Sequence, residues 1–551
     1  MRYTAIIGCL LTASVILTVP LAAAQGLTPV AAANPKIPGV AAPNALSVEL
    51  AEVVRAQGAM LLENPRDWAM YYGYNNDQPN LVPLPPPAGF NVEATKTEPD
   101  KNTYLVLHRQ RGADPQYDYG THFLFQGHEG GVGNPKKGYI TRINLDADIA
   151  HRVTLLATTD IHGNPLPVFD GSTWYPWATR LLFTAENGTA GGVWQATLDV
   201  PSSVEDISGC LGRGGYEGIQ ADSAGNLWIV EDVGGANGSA AASLTHARQP
   251  NSFIYRFVPN NIYDLTAGGK LQVLAVKSLA HAGNIVFNTT PDADILSQDE
   301  HDLHTYRSVF ATTWITIQET TNCSTPFGAN ALAKGTGTPF KRPENGMFRP
   351  GTHFREFFFT ETGDTNALTE AGSQFGGLGG LFKLTQLHPS AEHGQLTLFY
   401  LSDVNHTGFD NLGFWTKDFL VVVEDAGDTL HTQRNALDSA YLFDVRLDFS
   451  NPARQPIRIL AQGRDASATI DSGLMGTTGF QNDGDNEITG IHVSDGDPTP
   501  GGILGAKTPR PFNGKWRVFY TQQHGDNITF EIIPSRHAVD AKDRSDERED
   551  D

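Results

Sequence analysis

Four times along this chain a short apolar run ends in a glutamate followed by a turn. The runs are Leu181-Leu182-Phe183-Thr184-Ala185, Leu227-Trp228-Ile229-Val230, Phe357-Phe358-Phe359-Thr360 and Leu420-Val421-Val422-Val423. They end at Glu186, Glu231, Glu361 and Glu424, each with glycine close behind. Short β-branched or aromatic runs bounded by turn residues read as strands. Strand-only repeats at intervals of roughly 40–50 residues point to an all-β fold, a β-propeller. Innermost strands of a propeller converge on one axis. If these runs are innermost, their terminal carboxylates gather in one place, and clustered carboxylates call for cations.

Bulk properties fit such a fold. The 551 residues suffice for one large domain, and 57 Gly with 33 Pro suit a turn-rich β protein. A formal charge of −22 argues against nucleic acid or an anionic membrane as partner, since nothing offsets phosphate repulsion. Residues 1–24 read as an export signal. Arg2 precedes an apolar stretch from Ala5 to Leu21, and Ala22-Ala23-Ala24 resembles a cleavage site. No later segment is long and apolar enough to span a bilayer as a helix. The expectation is an exported protein, secreted or periplasmic, and a monomer. Cys210 and Cys323 remain after cleavage; their pairing is open, and no CxxC spacing suggests a thiolate zinc site.

Residues 25–100 read as an Ala/Pro-rich leader, a helix from Ala45 to Leu62 capped by Asn44 with Glu49 in its first turn, and a linker at Pro83 to Pro87. Residues 101–535 alternate strand and turn and form the propeller domain. The segments 241–249 and 330–336 read as loop insertions. Residues 536–551 are a charged tail with little apolar content, expected to be disordered.

A set of motifs in the middle of the chain resembles the PhoX-type alkaline phosphatases. Gln126-Gly127-His128-Glu129 resembles that family's Asn-His-Glu, and Thr173-Trp174-Tyr175-Pro176-Trp177-Ala178-Thr179 then Thr184-Ala185-Glu186-Asn187 its Thr-Pro-Trp-Gly-Thr and Thr-Cys-Glu-Glu. Gly212-Arg213-Gly214-Gly215-Tyr216-Glu217, Val230-Glu231-Asp232 and Tyr255-Arg256-Phe257-Val258-Pro259 are similar to Gly-Arg-Phe-x-His-Glu, Thr-Glu-Asp and Tyr-Arg-Phe-x-Pro. Arg342-Pro343-Glu344, Asp410-Asn411-Leu412, Glu487-Ile488-Thr489-Gly490 and Gln522-Gln523-His524-Gly525 complete an ordered series from about residue 121 to 525. The resemblance implies a six-bladed propeller with a Ca²⁺ and Fe³⁺ cluster in its axial mouth and hydrolysis of phosphorylated small molecules. It implies Glu129, Glu186, Glu217, Glu231 and Glu344 as ligands, with Asp232, Asp410 and Glu487 in second rank. Arg342 would orient a phosphate or hold Glu344, and His524 would act with it.

The chain departs from that pattern in places. Val168-Phe169-Asp170-Gly171-Ser172 holds no cysteine where the family places an iron ligand, and Asp170 is the hard-oxygen substitute. Asn187 replaces a glutamate, and Tyr216 a histidine. These departures keep two other readings in play, a non-enzymatic Ca²⁺-binding propeller that takes a ligand or partner, and a propeller with other calcium chemistry such as lactone hydrolysis. Taken singly, a strand-end glutamate is more often solvated or turn-capping, above all Glu361 and Glu424, and His128 and His524 are more often structural. No Gly-x-Ser-x-Gly elbow, P-loop or His-Glu-x-x-His zinc helix is present.

Overall fold

Side chains of one strand point alternately to its two faces, so a strand buried on both faces reads as continuously apolar. Phe357 and Phe359 pack into a cluster with Trp228 and Phe382. Phe358 packs on the other side, with Leu412 and Tyr441. Val421 and Val423 likewise join Ile491 and Val518, whereas Leu420 and Val422 join Phe358. The hydrophobic core is thus divided into slabs between adjacent sheets.

The computed structural model describes residues 26–36, 42–58, 60–66, 68–73, 97–130, 136–186, 190–287, 289–463, 487–523 and 527–535. The expected export signal and Pro83–Pro87 linker, His524 and the charged tail from 536 lie outside the described residues.

Among the described residues the sheets hold six antiparallel four-stranded blades, besides the small hairpin Leu61–Arg66 and Ala69–Tyr71. Blade 1 is Pro99–Val106, His122–His128, Ile140–Asn144 and Val153–Ala157, and blade 2 is Ser172–Tyr175, Arg180–Ala185, Gly192–Ala196 and Val204–Asp206. Blade 3 is Tyr216–Ala221, Leu227–Glu231, Ile254–Pro259 and Gly269–Val276. Blade 4 is Gly346–Phe348, Glu356–Glu361, Gly380–Gln386 and His393–Leu401. The long strand Phe310–Thr320 pairs with the outer strands of blades 3 and 4 and fuses them into one nine-stranded sheet. Blade 5 is Phe409–Phe414, Phe419–Glu424, Ser439–Asp444 and Ile457–Ala461. Blade 6 is Ile488–Ser494, Arg517–Gln522, Ile528–Pro534 and, from the other end of the chain, Leu50–Ala56. The first strands of the six blades are neighbours around a closed ring. The propeller expectation is met. The repeats that suggested it, however, are second strands, one step out from the axis.

The expected helix at Ala45 to Leu62 is replaced by strands Ala45–Leu46, Leu50–Ala56 and Leu61–Arg66. The cause is tertiary pairing. Without a partner Ile528–Pro534 would be an open edge, and Leu50–Ala56 covers it, Val53 opposite Glu531 and Val54 opposite Phe530. That pairing overrides the helical propensity of Leu, Ala and Glu. Asn44 does not cap a helix; its Nδ2 donates to Glu52, to the Tyr520 hydroxyl and to Gln522. Glu49 accepts hydrogen bonds from the Thr28 N–H and hydroxyl. Part of the leader also docks, with Leu27 buried and the Val30 N–H donating to the Arg458 carbonyl. The segment 330–336 is not a plain loop, because its start lies in the short helix Ala329–Ala333.

Ring closure by an N-terminal strand makes a direct prediction. A chain lacking residues 26–58 should lose at least ~3 kcal/mol of unfolding free energy from the buried apolar side chains alone. Urea unfolding of the shortened and full chains measures this. Equal stability would mean that blade 6 needs no fourth strand.

Candidate metal centre

The ring places one equivalent position of every blade at the axis. In four blades the pairing of first and second strand slips near the start of the first strand. The slips lie between Pro99 and Asn102, Tyr216 and Ile219, Phe409 and Leu412, and Thr489 and His492. Such bulges re-aim the side chains they carry. The residues at these slips are Asp100, Glu217, Asp410 and Gly490. In blades 2 and 4 the same place, just before the first strand, holds Asp170 and Glu344. Five blades therefore supply a carboxylate, and the sixth holds Gly490, beside Thr489, whose hydroxyl donates to Asp100.

Close approach of the inner strands governs the next residue. A Cβ on Gly171 would stand 2.1 Å from the Glu217 carbonyl oxygen, so only glycine fits. Threonines on the second strands latch neighbouring blades. Thr184 donates to the Glu217 carbonyl at 2.5 Å and Thr360 to the Asp410 carbonyl at 2.8 Å. Thr362, just past the blade 4 strand, stands 2.8 Å from the Phe409 carbonyl of blade 5 and 2.7 Å from Glu344 Oε1 of its own blade.

With Glu129 and Glu186 from the ends of two second strands, these residues form one chain of seven carboxylates. Three overlapping groups, Asp100–Glu129–Asp170, Asp170–Glu186–Glu217 and Glu217–Glu344–Asp410, each bring oxygens within 4.8 Å of one another. Gln523 Nε2 bridges Asp100 at 2.7 Å and Glu129 at 3.1 Å. Below them lies a polar floor. The buried Lys101 ammonium donates to Asn345 Oδ1 at 2.9 Å, and Asn345 Nδ2 donates to Asn411 Oδ1 at 3.2 Å. Asn411 Nδ2 in turn donates to Asp410 Oδ1 and to Thr489 Oγ1. On the other side Arg342 donates through Nε and Nη2 to Asp232, with Nη2 also 3.4 Å from Glu344.

Burial and like charge act together here. Burial, then repulsion from Glu129, raises the Asp100 carboxyl, and burial, then Asp100, raises Asp170. Glu217 is raised by burial and then by Asp170 and Glu344. Glu186 is pushed up to about 9 and Glu344 to about 8 by burial and then by Asp232. Burial lowers Lys101 to about 8 against the pull of Asp100, Asp410 and Asp170. Among the described residues, Lys101 and Arg342 face these seven carboxylates and Asp232, and the buried Asp410 Oδ2 has no hydrogen-bond partner. Hard multivalent cations fit this donor set, which is carboxylate oxygen throughout. Among the described residues no thiolate joins it, because Cys210 and Cys323 form a disulfide.

Of the residues singled out in the sequence, the structure brings together Glu129, Glu186, Glu217, Glu344 and Asp410, with Asp232 and Arg342 beside them. It sets Glu231 apart. That carboxylate accepts from the Phe253 N–H, the Tyr255 hydroxyl and Asn330, and it ties blade 3 to the helix Ala329–Ala333. Glu361 and Glu424 are buried rather than solvated, the first against His304 and the second against Arg434. Glu487 lies outside the three groups; its carbonyl accepts from the Gln523 N–H. His128 is a neutral structural histidine between Thr97 and Thr141, lowered to about 3 by burial. Asp100 and Lys101 were not singled out in the sequence. Their signal is the acid followed by a small or polar residue that opens each inner strand: Asp100-Lys101, Asp170-Gly171, Glu217-Gly218, Glu344-Asn345 and Asp410-Asn411.

No protein-family profile matches the chain, and no curated protein matches it in sequence. Among solved structures, PhoX of Pseudomonas fluorescens in complex with vanadate, a transition-state analogue, superimposes with a TM-score of 0.52 at 11% identity. The alignment covers 92% of this chain and 98% of that one. At that identity the likeness bears on the fold, and it supports the propeller over nearly the full length. A protein from Lactobacillus plantarum aligns over 66% of this chain and 96% of its own at 10% identity, and its TM-score of 0.21 carries no weight.

The raised carboxyls make stability depend on pH in a defined sense. Glu344 and Glu186 titrate near 8 and 9 in the folded protein against 4.5 for the ordinary glutamate. Between those values the folded state keeps protons that the unfolded chain has released, so stability falls as pH rises. In chelator, denaturant midpoints should decline from pH 5 to pH 9, and Ca²⁺ should flatten the decline. A profile in chelator that is flat or rises over this range would contradict the electrostatic account.

Proposed function

We propose that this protein is an exported, metal-dependent phosphatase that hydrolyses phosphate monoesters of small molecules at the mouth of the propeller axis. The observation that carries this reading is the continuous chain of seven carboxylates. Glu129, Glu186, Glu217, Glu344 and Asp410, joined by Asp100 and Asp170, would hold Ca²⁺ and Fe³⁺, with Asp170 in the place of the family cysteine. Such cations supply neutralisation of phosphoryl oxygens and a more acidic attacking water.

The chain's own residues do the positioning. Asp232 fixes the plane of the Arg342 guanidinium, and the side chain is 22% exposed. A fixed guanidinium facing solvent suits a phosphate oxygen, with Nη1 outside the Asp232 contacts. Gln523 holds Asp100 and Glu129 in register, and His524, next in sequence, is proposed as the proton donor. Thr362 and Thr360 hold Glu344 and the Asp410 backbone against movement when charge arrives. The Cys210–Cys323 disulfide supports an oxidising compartment and hence export.

One observation favours a non-enzymatic cation-binding propeller instead. Lys101 already places an ammonium among Asp100, Asp170 and Asp410, which lowers the number of cations the channel needs. A single experiment separates the readings. In the phosphatase reading, Glu217→Gln combined with Glu344→Gln lowers turnover of an aryl phosphate by at least ~100-fold, with metal content reduced and the fold retained by circular dichroism. In the binding reading the parent protein has no such turnover, and the double variant loses only its Ca²⁺-dependent rise in melting temperature. Turnover that survives the double variant sinks the phosphatase reading.

A further inference from the structure

A second cluster lies behind the channel wall, on the far side of the blade 4 strand Glu356–Glu361. The short helix Gln298–Leu303 carries Glu300, and its C-cap residue is His304, one turn on. Glu361 ends the facing strand. All three are buried, and one ligand atom from each lies within 4.8 Å of the others.

The orientation of each group is set from outside the cluster. His304 Nδ1 is 2.8 Å from the Glu300 backbone carbonyl, which fixes the proton on Nδ1 and turns the Nε2 lone pair inward. Nε2 lies 2.7 Å from Glu361 Oε2. The other Glu361 oxygen accepts the Lys341 N–H at 2.7 Å. Lys341 itself is spoken for, its ammonium 3.1 Å from Asp364. A Cβ on Gly376 would come within 2.5 Å of His304 Nε2 and 3.0 Å of Glu300 Oε1, so glycine leaves open the side from which the two converge.

Glu300 has no such support. It is 1% exposed, and among the described residues neither carboxylate oxygen has a hydrogen-bond partner. An imidazolium at His304 would satisfy Glu361 but leave both Glu300 oxygens unmet, the nearer ring nitrogen standing 3.7 Å away and already bonded to a carbonyl. Burying an unpaired carboxylate is costly. One divalent cation meets both deficits, since two carboxylates balance its charge and all three groups point at it. An imidazole held by a backbone carbonyl through its other nitrogen is the usual outer-shell arrangement of a metal-ligating histidine.

We propose a second, structural metal site formed by Glu300, His304 and Glu361, for a divalent first-row transition ion such as Zn²⁺. The mixed nitrogen and oxygen set separates it from the all-carboxylate channel, because imidazole favours such ions over Ca²⁺. Its place in the fold gives it a task. Glu361 precedes Thr362, which holds Glu344, and it anchors the Lys341 N–H beside Arg342. The ion would pin the 341–344 segment to the outer wall, whatever chemistry the channel performs.

The test uses the full mature chain saturated with Zn²⁺ and freed of excess by dialysis. Anomalous diffraction at the zinc edge should show a peak between Glu300, His304 and Glu361. His304→Gln can still donate to Glu361; paired with Glu300→Gln it should remove that peak and one zinc per chain, with channel peaks unchanged. Its melting temperature should fall below the parent's in Zn²⁺ and match it in chelator. Peaks confined to the channel, or equal zinc content in parent and variant, would overturn the proposal.

Discussion

Mutual repulsion among buried carboxylates is the constraint around which this molecule is organised. Seven acids sit in one chain of contacts at the propeller axis, and burial raises the carboxyls of Asp100, Asp170, Glu186, Glu217, Glu344 and Asp410. A protein interior tolerates this arrangement only with compensating charge or with protons held on the carboxyls. Lys101 supplies part of the charge, whereas Arg342 is balanced by Asp232. The remaining demand for positive charge is the physical basis for assigning cations to the site.

The architecture makes that crowding possible. Bulges in four of the inner strands re-aim the residues near their start, and threonine hydroxyls from second strands hold the neighbouring blade's backbone. Glycine at 171 admits the close approach of adjacent inner strands. Closure comes from Leu50–Ala56, which completes blade 6 far from its neighbours in sequence. The closed ring of inner strands holds the ligand oxygens close to one another.

Much of this was legible in the sequence. Continuous apolar runs such as Phe357-Phe358-Phe359 reveal strands buried on both faces, and their recurrence reveals blades. Motif order located Glu129, Glu186, Glu217, Glu344 and Asp410. What failed has clear causes. Leu50–Ala56 has a helix-tolerant composition, and only a partner nearly 480 residues away makes it a strand. Glu231, Glu361 and Glu424 share the repeat of Glu186, yet the second strand turns them toward blade interiors, where Tyr255, His304 and Arg434 take them. Asp100 was missed because its inner-strand repeat is only two residues long and its neighbour varies among lysine, glycine and asparagine.

Metal content tests the central claim most directly. The protein should be purified without chelators and its elements counted. The account predicts multivalent cations bound per chain, calcium among them, with stability lost when they are stripped at alkaline pH. A protein that carries no multivalent cation, takes up none from Ca²⁺ or Fe³⁺ solutions, and is equally stable in chelator would contradict it.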